Sequence, residues 1–190
     1  MDRDGRPDGI PLAPRPWARL LAVRDGAGGG AGPGTRGEEE RLRAVLEEPV
    51  VRACLGAVDR SWRPRTLVHG RLDVSTVRTF LTRPAGSRYV LQASSGLGHP
   101  AWDVTCALAA LDALDPRPRS LARSRSTFLA SYLRGGGAQP LPAPPWRCVV
   151  ALTQAMALVD QPSGEATSET VDALLARARA AASWARRRTA

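Results

Sequence analysis

Apolar positions recur at helical spacing along most of this chain. Leu42, Val45, Leu46, Val50, Cys54, Leu55 and Val58 follow one another at mostly three- and four-residue steps to about Arg60. That stripe is long enough to be the central helix of a helical lobe. Pro49 lies within it, lacks an N–H, and is expected to kink or restart the helix. Thr35 and Glu38 have capping-box spacing, and Glu38, Glu39 and Glu40 suit the positive end of the helix dipole. Helical spacing returns at Trp102, Leu108, Leu111 and Leu114, with Pro100 fit for the first position and an end near Asp115. A further helix is predicted over Ser120–Leu133, stopped by Gly135-Gly136-Gly137. A Pro-rich linker, Pro140 to Pro145, precedes an apolar helix from Trp146 to Val159. The last helix runs from about Ser168 to Arg186, with Val171, Leu174, Leu175, Ala178 and Ala182 as its buried stripe.

Between Arg60 and Gly96 the pattern shortens. Thr66–Val68 reads as a strand, and Val77–Leu81 and Tyr89–Gln92 read as a hairpin around the turn-rich Thr82–Ser87. Residues 1–16 are rich in Pro, Asp and Arg, which points to disorder. Trp17–Val23 fits a short strand or a helical turn. Asp25 to Gly37 is a Gly-rich linker. It contains Gly32-Pro33-Gly34-Thr35-Arg36-Gly37, which formally matches a dinucleotide fingerprint. No strand directly precedes it and no second strand closely follows, so the linker reading stands. The organisation expected is a disordered or loosely ordered segment, 1–37, and one folded domain, 38–188, of the α+β class and mainly α.

The candidate chemistry lies in Thr66-Leu67-Val68-His69-Gly70-Arg71-Leu72-Asp73-Val74-Ser75-Thr76-Val77 and in Gly96-Leu97-Gly98-His99-Pro100-Ala101-Trp102-Asp103. The first stretch resembles the catalytic loop of the aminoglycoside phosphotransferase family, a kinase-like family that carries Leu-Val-His-Gly-Asp-Leu-x-x-x-Asn there. The second resembles that family's Gly-Leu-Gly-Asp-Pro-Ala-Trp-Asp. In the family the loop Asp is the catalytic base and the Asn holds a metal ion. Here those positions are Arg71 and Thr76. A guanidinium cannot accept a proton near neutral pH, and a threonine hydroxyl is a poorer metal ligand than an amide oxygen. The family's magnesium-binding Asp falls at Leu91 or Ala93, and no Asp or Glu occurs between Asp73 and Asp103. Phosphoryl transfer depends on that metal.

The resemblance covers roughly residues 38–185, with its specific motifs within 66–103. It implies the helical C-terminal lobe of a kinase-like fold, with a small β-hairpin sheet carrying a degenerate catalytic loop. It also implies structural roles for Trp102 and Asp103, the latter accepting hydrogen bonds from the loop backbone. Only residues 1–65 precede the loop, and the chain contains no lysine, so the family's nucleotide lobe and phosphate-gripping lysine have no counterpart. No catalytic residue, cofactor or metal is therefore expected. His69, Arg71, Asp73 and Thr76 are degenerate loop positions. His69 reads as a hydrogen-bonded structural imidazole. Asp73 lies two residues from the family's base. Arg71 either pairs with Asp73 or Asp103 to lock the loop, or binds an anion bidentately.

Composition adds limits. The formal charge is +9 in 190 residues, but the Arg residues are dispersed apart from Arg186–Arg188. Two Phe and two Tyr make a poor base-stacking surface, which argues against nucleic acid. Arg in place of Lys, with abundant Ala, Gly and Pro, fits a GC-rich genome. Cys54, Cys106 and Cys148 form no Cys-x-x-Cys and read as buried small apolar residues. No segment approaches the ~20 apolar residues of a membrane span, and a cytoplasmic protein is expected.

These readings lead to a catalytically inactive, phosphotransferase-like binding or scaffold protein. Kinase-like proteins of this family occur in biosynthetic clusters of GC-rich bacteria, including those for lanthipeptide-type peptides, and some act with separately encoded partners. The resemblance thus implies another protein chain, kinase-like or biosynthetic, or self-association. The alternative is one half of a split phosphotransferase whose nucleotide lobe comes from another chain.

Overall fold

In chain order the elements are α1 (Ala18–Arg24), α2 (Arg36–Glu47), α3 (Pro49–Ser61), β1 (Thr66–Val68), β2 (Val77–Phe80), β3 (Arg83–Tyr89), β4 (Gly96–Gly98), α4 (Pro100–Leu114), α5 (Pro118–Arg134), α6 (Pro144–Val159) and α7 (Ser168–Thr189). They are taken from a computed structural model. The structure describes residues 11–26, 36–70, 77–80, 83–89, 95–114, 118–137, 143–160 and 168–189. The fold is α+β and mainly α, with two small antiparallel sheets, β1–β4 and β2–β3.

Proline sets where four of these helices begin. Pro49, Pro100, Pro118 and Pro144 each take the first helical position, where the missing N–H would have no helical partner anyway. The residue before a proline is pushed towards extended backbone. Glu48 (ψ 129) and Ala143 (ψ 162) show this directly. Pro49 therefore ends α2 and opens α3, rather than kinking one long helix.

The chain divides into two compact units. One comprises residues 15–62 and 142–190, and holds α1, α2, α3, α6 and α7. Its central helix is α6, not the 42–58 stripe. Cys148, Val149, Val150, Ala151 and Leu152 are buried in succession, so the middle of α6 sits deepest in the unit, while Arg147, Thr153, Gln154, Ala157 and Leu158 are half-buried. The stripe residues Leu42, Val45, Leu46, Cys54, Leu55 and Val58 face inward from α2 and α3, but Val51, not the expected Val50, fills the position after Pro49. Val171, Leu174, Leu175, Ala178 and Ala182 do so from α7.

Within 1–37, residues 11–26 depart from the expectation of loose order. Trp17, Leu20 and Val23 are fully buried in this unit. Trp17 stands edge-on to Trp62, ring centroids 4.9 Å apart at 88°, and to Trp146 at 6.3 Å and 79°. Such pairs add about 1 kcal/mol each beyond the area they bury. The Trp17 indole N–H donates to Asp59 Oδ1 at 3.3 Å, and Arg15 donates to the same oxygen at 2.7 Å. A low-complexity stretch is thus anchored by one large side chain that finds its partners far along the sequence. The proposed capping residue Thr35 and the fingerprint residues 32–34 lie outside the described residues, whereas Gly37 lies in the first turn of α2.

All three cysteines are buried free thiols. The Cys54 and Cys148 thiols are hydrogen-bonded to each other within this unit, and that contact together with burial pushes Cys148 up. Exposed ion pairs decorate the surface. Arg41 bonds Asp172 and Ser168, and Arg179 bonds Glu48. Pairs of this kind contribute about 0–1 kcal/mol.

The other unit comprises residues 1–14 and 63–141, and holds both sheets with α4 and α5. In β1–β4 the register is Thr66↔Gly98, Leu67↔Leu97 and Val68↔Gly96. Residues 11–13 lie along the far side of β4, with Leu12 bridged to Leu97. Gly96 is required for this approach, because a Cβ there would meet the Pro11 carbonyl oxygen at 2.6 Å. The hairpin differs from expectation in its second strand. β3 occupies Arg83–Tyr89, much of the stretch read as a turn, and Val77 pairs with Tyr89. A two-stranded ribbon has only edges, so Pro84 and Gly86 are tolerated within it. Residues 90–92, read as strand, lie outside the described residues.

Candidate functional site

The loop after β1 is reached by a chain that emerges from a buried strand end. Val68 is buried, and His69 and Gly70 follow it into the interior of their unit. Two successive backbone N–H groups and two carbonyls there need partners away from water. Gly70 adopts φ +82, a left-handed conformation that turns the chain and favours glycine.

Helix α4 supplies most of those partners from its first turn. The carboxylate of Asp103 accepts the His69 N–H at 2.5 Å on one oxygen and the Gly70 N–H at 3.1 Å on the other. The indole N–H of Trp102 donates to the Gly70 carbonyl at 2.7 Å. The Ser95 hydroxyl, just ahead of β4, donates to the His69 carbonyl at 2.9 Å. Each of the four backbone polar groups of His69 and Gly70 is therefore engaged by a side chain. Leaving one such group without a partner costs about 1–3 kcal/mol.

Burial pushes the Asp103 carboxyl above its ordinary value, while the two backbone N–H groups pull it back down. The helix that carries Asp103 is itself capped by a histidine. His99 precedes Pro100, and its Nδ1 accepts the Ala101 N–H at 3.1 Å. Only a neutral imidazole has that lone pair. Burial, and then the nearby charge of Arg63, lower the His99 pKa and favour the neutral form.

Of the residues singled out from sequence, His69, Trp102 and Asp103 come together in this clamp. The His69 side chain is buried. Arg71, Asp73 and Thr76 lie outside the described residues. Ser95 and His99 are functional residues that the sequence reading does not single out. The position of His99 directly before a helix-opening proline was the available signal for a cap. Nothing in the local sequence pairs Ser95 with a carbonyl 26 residues earlier.

The arrangement can position a backbone. Both oxygens of Asp103 are committed to N–H groups. A nucleotide's magnesium needs hard oxygen ligands, usually carboxylates, and this donor set does not fit one. Among the described residues no group of three His, Cys, Asp or Glu side chains is placed to hold a metal ion. Among them, too, no helix is long and apolar enough to cross a membrane. No protein-family model, curated protein or solved structure matches the chain.

Proposed function

We propose that this chain is a catalytically inactive, phosphotransferase-like protein that serves as a binding or scaffold partner. One observation carries the reading. The backbone of His69 and Gly70 is held at all four polar groups, yet the next residue, where the resembling family has its base, is Arg71. A loop with firm support and a guanidinium where the family has its base is suited to presenting a surface, not to activating a hydroxyl. On this reading the chain is a kinase-like C-terminal lobe kept as a scaffold. It works in the cytoplasm with a separately encoded protein, in a complex that builds a peptide or another natural product.

Isothermal titration of the purified chain with MgATP tests the inactive half of the reading. The expected result is no saturable heat. Saturable, magnesium-dependent ATP binding in the micromolar range overturns it.

A further inference from the structure

The sheet formed by β1 and β4 is extended on one side only. The Leu97 N–H donates to the Pro11 carbonyl at 2.8 Å, and the Ala13 N–H donates to the Leu97 carbonyl at 2.9 Å. Both backbone groups of Leu97 thus face away from β1. Its cross-strand neighbour Leu67 is then in a non-hydrogen-bonded pair, so the Leu67 N–H and C=O point out of the sheet on the opposite side. Among the described residues neither group has a partner. An edge of this kind is a template for another strand.

The side chains above that edge are apolar. Leu12, Leu97 and Leu67 stand in register across the sheet and share one face. Leu97 is buried between its neighbours, whereas Leu12 is 51% and Leu67 56% exposed. Only one other large apolar side chain among the described residues, Trp184, is exposed. The exposure is therefore concentrated at this ladder. Charge narrows the occupant further. Arg65, two residues before Leu67, is exposed, and so is Arg63. No Asp or Glu occurs in 11–14, 63–70 or 95–99. A second copy would bring like charges together along the shared edge, and the chain's +9 opposes it as well.

We propose that the outer edge of β1 receives an extended, acidic segment of a partner protein as an added strand. The segment's backbone bonds to Leu67, an apolar side chain continues the leucine ladder, and a carboxylate reaches the nearby Arg65. Main-chain bonds of this type provide affinity, and alternate side chains provide specificity. The site rests on the reading of the chain as a binding protein, but not on its resemblance to phosphotransferases.

Panning the full chain against a displayed library of random peptides, about eight residues long so as to span β1 and its flanks, tests it. Enriched peptides should alternate apolar residues and carry Asp or Glu. By fluorescence anisotropy, their affinity should fall about tenfold or more for Arg65→Glu and for Leu67→Lys, each first checked for wild-type circular dichroism. Backbone N-methylation of the peptide should abolish binding to the unaltered protein. The proposal is overturned by enrichment of basic peptides, by no enrichment over the Leu67→Lys protein, or by indifference to N-methylation. It is equally overturned if the chain sediments as a dimer that Leu67→Lys splits. Magnesium-dependent ATP binding would defeat the inactive-enzyme reading while leaving the panning result intact.

Discussion

The unit around α6 and the unit around β1, β4 and α4 are held by different forces. In the first, a deeply buried helix collects apolar stripes from four others, and three tryptophans meet at one point. In the second, the critical loop depends on directed bonds: a carboxylate, an indole, a hydroxyl and a capping imidazole. Apolar burial is non-directional and survives modest repacking. A polar clamp fixes one geometry and fails when one member is lost. The contrast teaches where this molecule tolerates change: conservative apolar exchanges around α6, almost none at Asp103.

Removing the largest anchor is the strongest test of that contrast. Trp17→Ala leaves a cavity between Trp62 and Trp146 and should destabilise its unit by about 3–5 kcal/mol. Urea unfolding followed by helical circular dichroism measures the loss. Hydrogen exchange should locate it in α1, α3 and α6 and leave α4 unchanged. Equal acceleration throughout would mean that the two units stand or fall together, and the comparison would break.

The features legible in sequence were those that act locally. Pro49 and Pro100 marked helix starts because a missing N–H is a property of the residue itself, whereas Pro144, read as linker, opens α6 two residues before the expected Trp146. Gly135–Gly137 ended α5 for a similarly local reason. What decided the rest was distant. The stripe at 42–58 and the helix at 146–159 are both apolar, and only the assembled unit makes α6 the central one. β4 is Gly96-Leu97-Gly98, poor in strand-forming residues, and becomes a strand because β1 pairs with it. Trp17 was recognisable as apolar, but its partners lie at 62 and 146. At the loop, Trp102 and Asp103 could be singled out through a resemblance, whereas Ser95 and His99 act only through the backbone geometry around them.

Asp103→Ala sharpens the comparison from the other side. It strips the acceptor from two buried N–H groups and should cost about 1–3 kcal/mol. Thermal unfolding gives the magnitude, and hydrogen exchange should rise at β1, β4 and the start of α4. A cost as large as that of Trp17→Ala would place the polar clamp on a par with the apolar core.

The smallest effect concerns acid. The His99 pKa is lowered in the fold, so the unfolded chain binds the proton more readily. Its contribution is complete above the ordinary imidazole value of 6.5 and is lost as pH falls through the folded value. The imidazolium cannot accept the Ala101 N–H, and it also sets positive charge at the positive end of α4. Because the side chain is partly solvated, the loss should stay under about 1 kcal/mol. Urea titrations between neutral and mildly acidic pH should show the decline in wild type and not in His99→Asn, whose amide caps at any pH. A parallel decline in both proteins would assign the acid sensitivity elsewhere.

The placement of the tryptophans gives each unit its own optical signature. Trp17, Trp62 and Trp146 lie close enough, and at steep enough angles, for their transitions to couple, so the far- and near-ultraviolet dichroism of these rings reports the integrity of the α6 unit. Trp102 is the single indole of the other unit, and its N–H is bound to the Gly70 carbonyl. A chain in which only Trp102 is retained, the others replaced by phenylalanine, would emit from the clamp alone. Its emission would shift when that bond to Gly70 opens, turning the loop's support into a signal readable in real time as a partner docks.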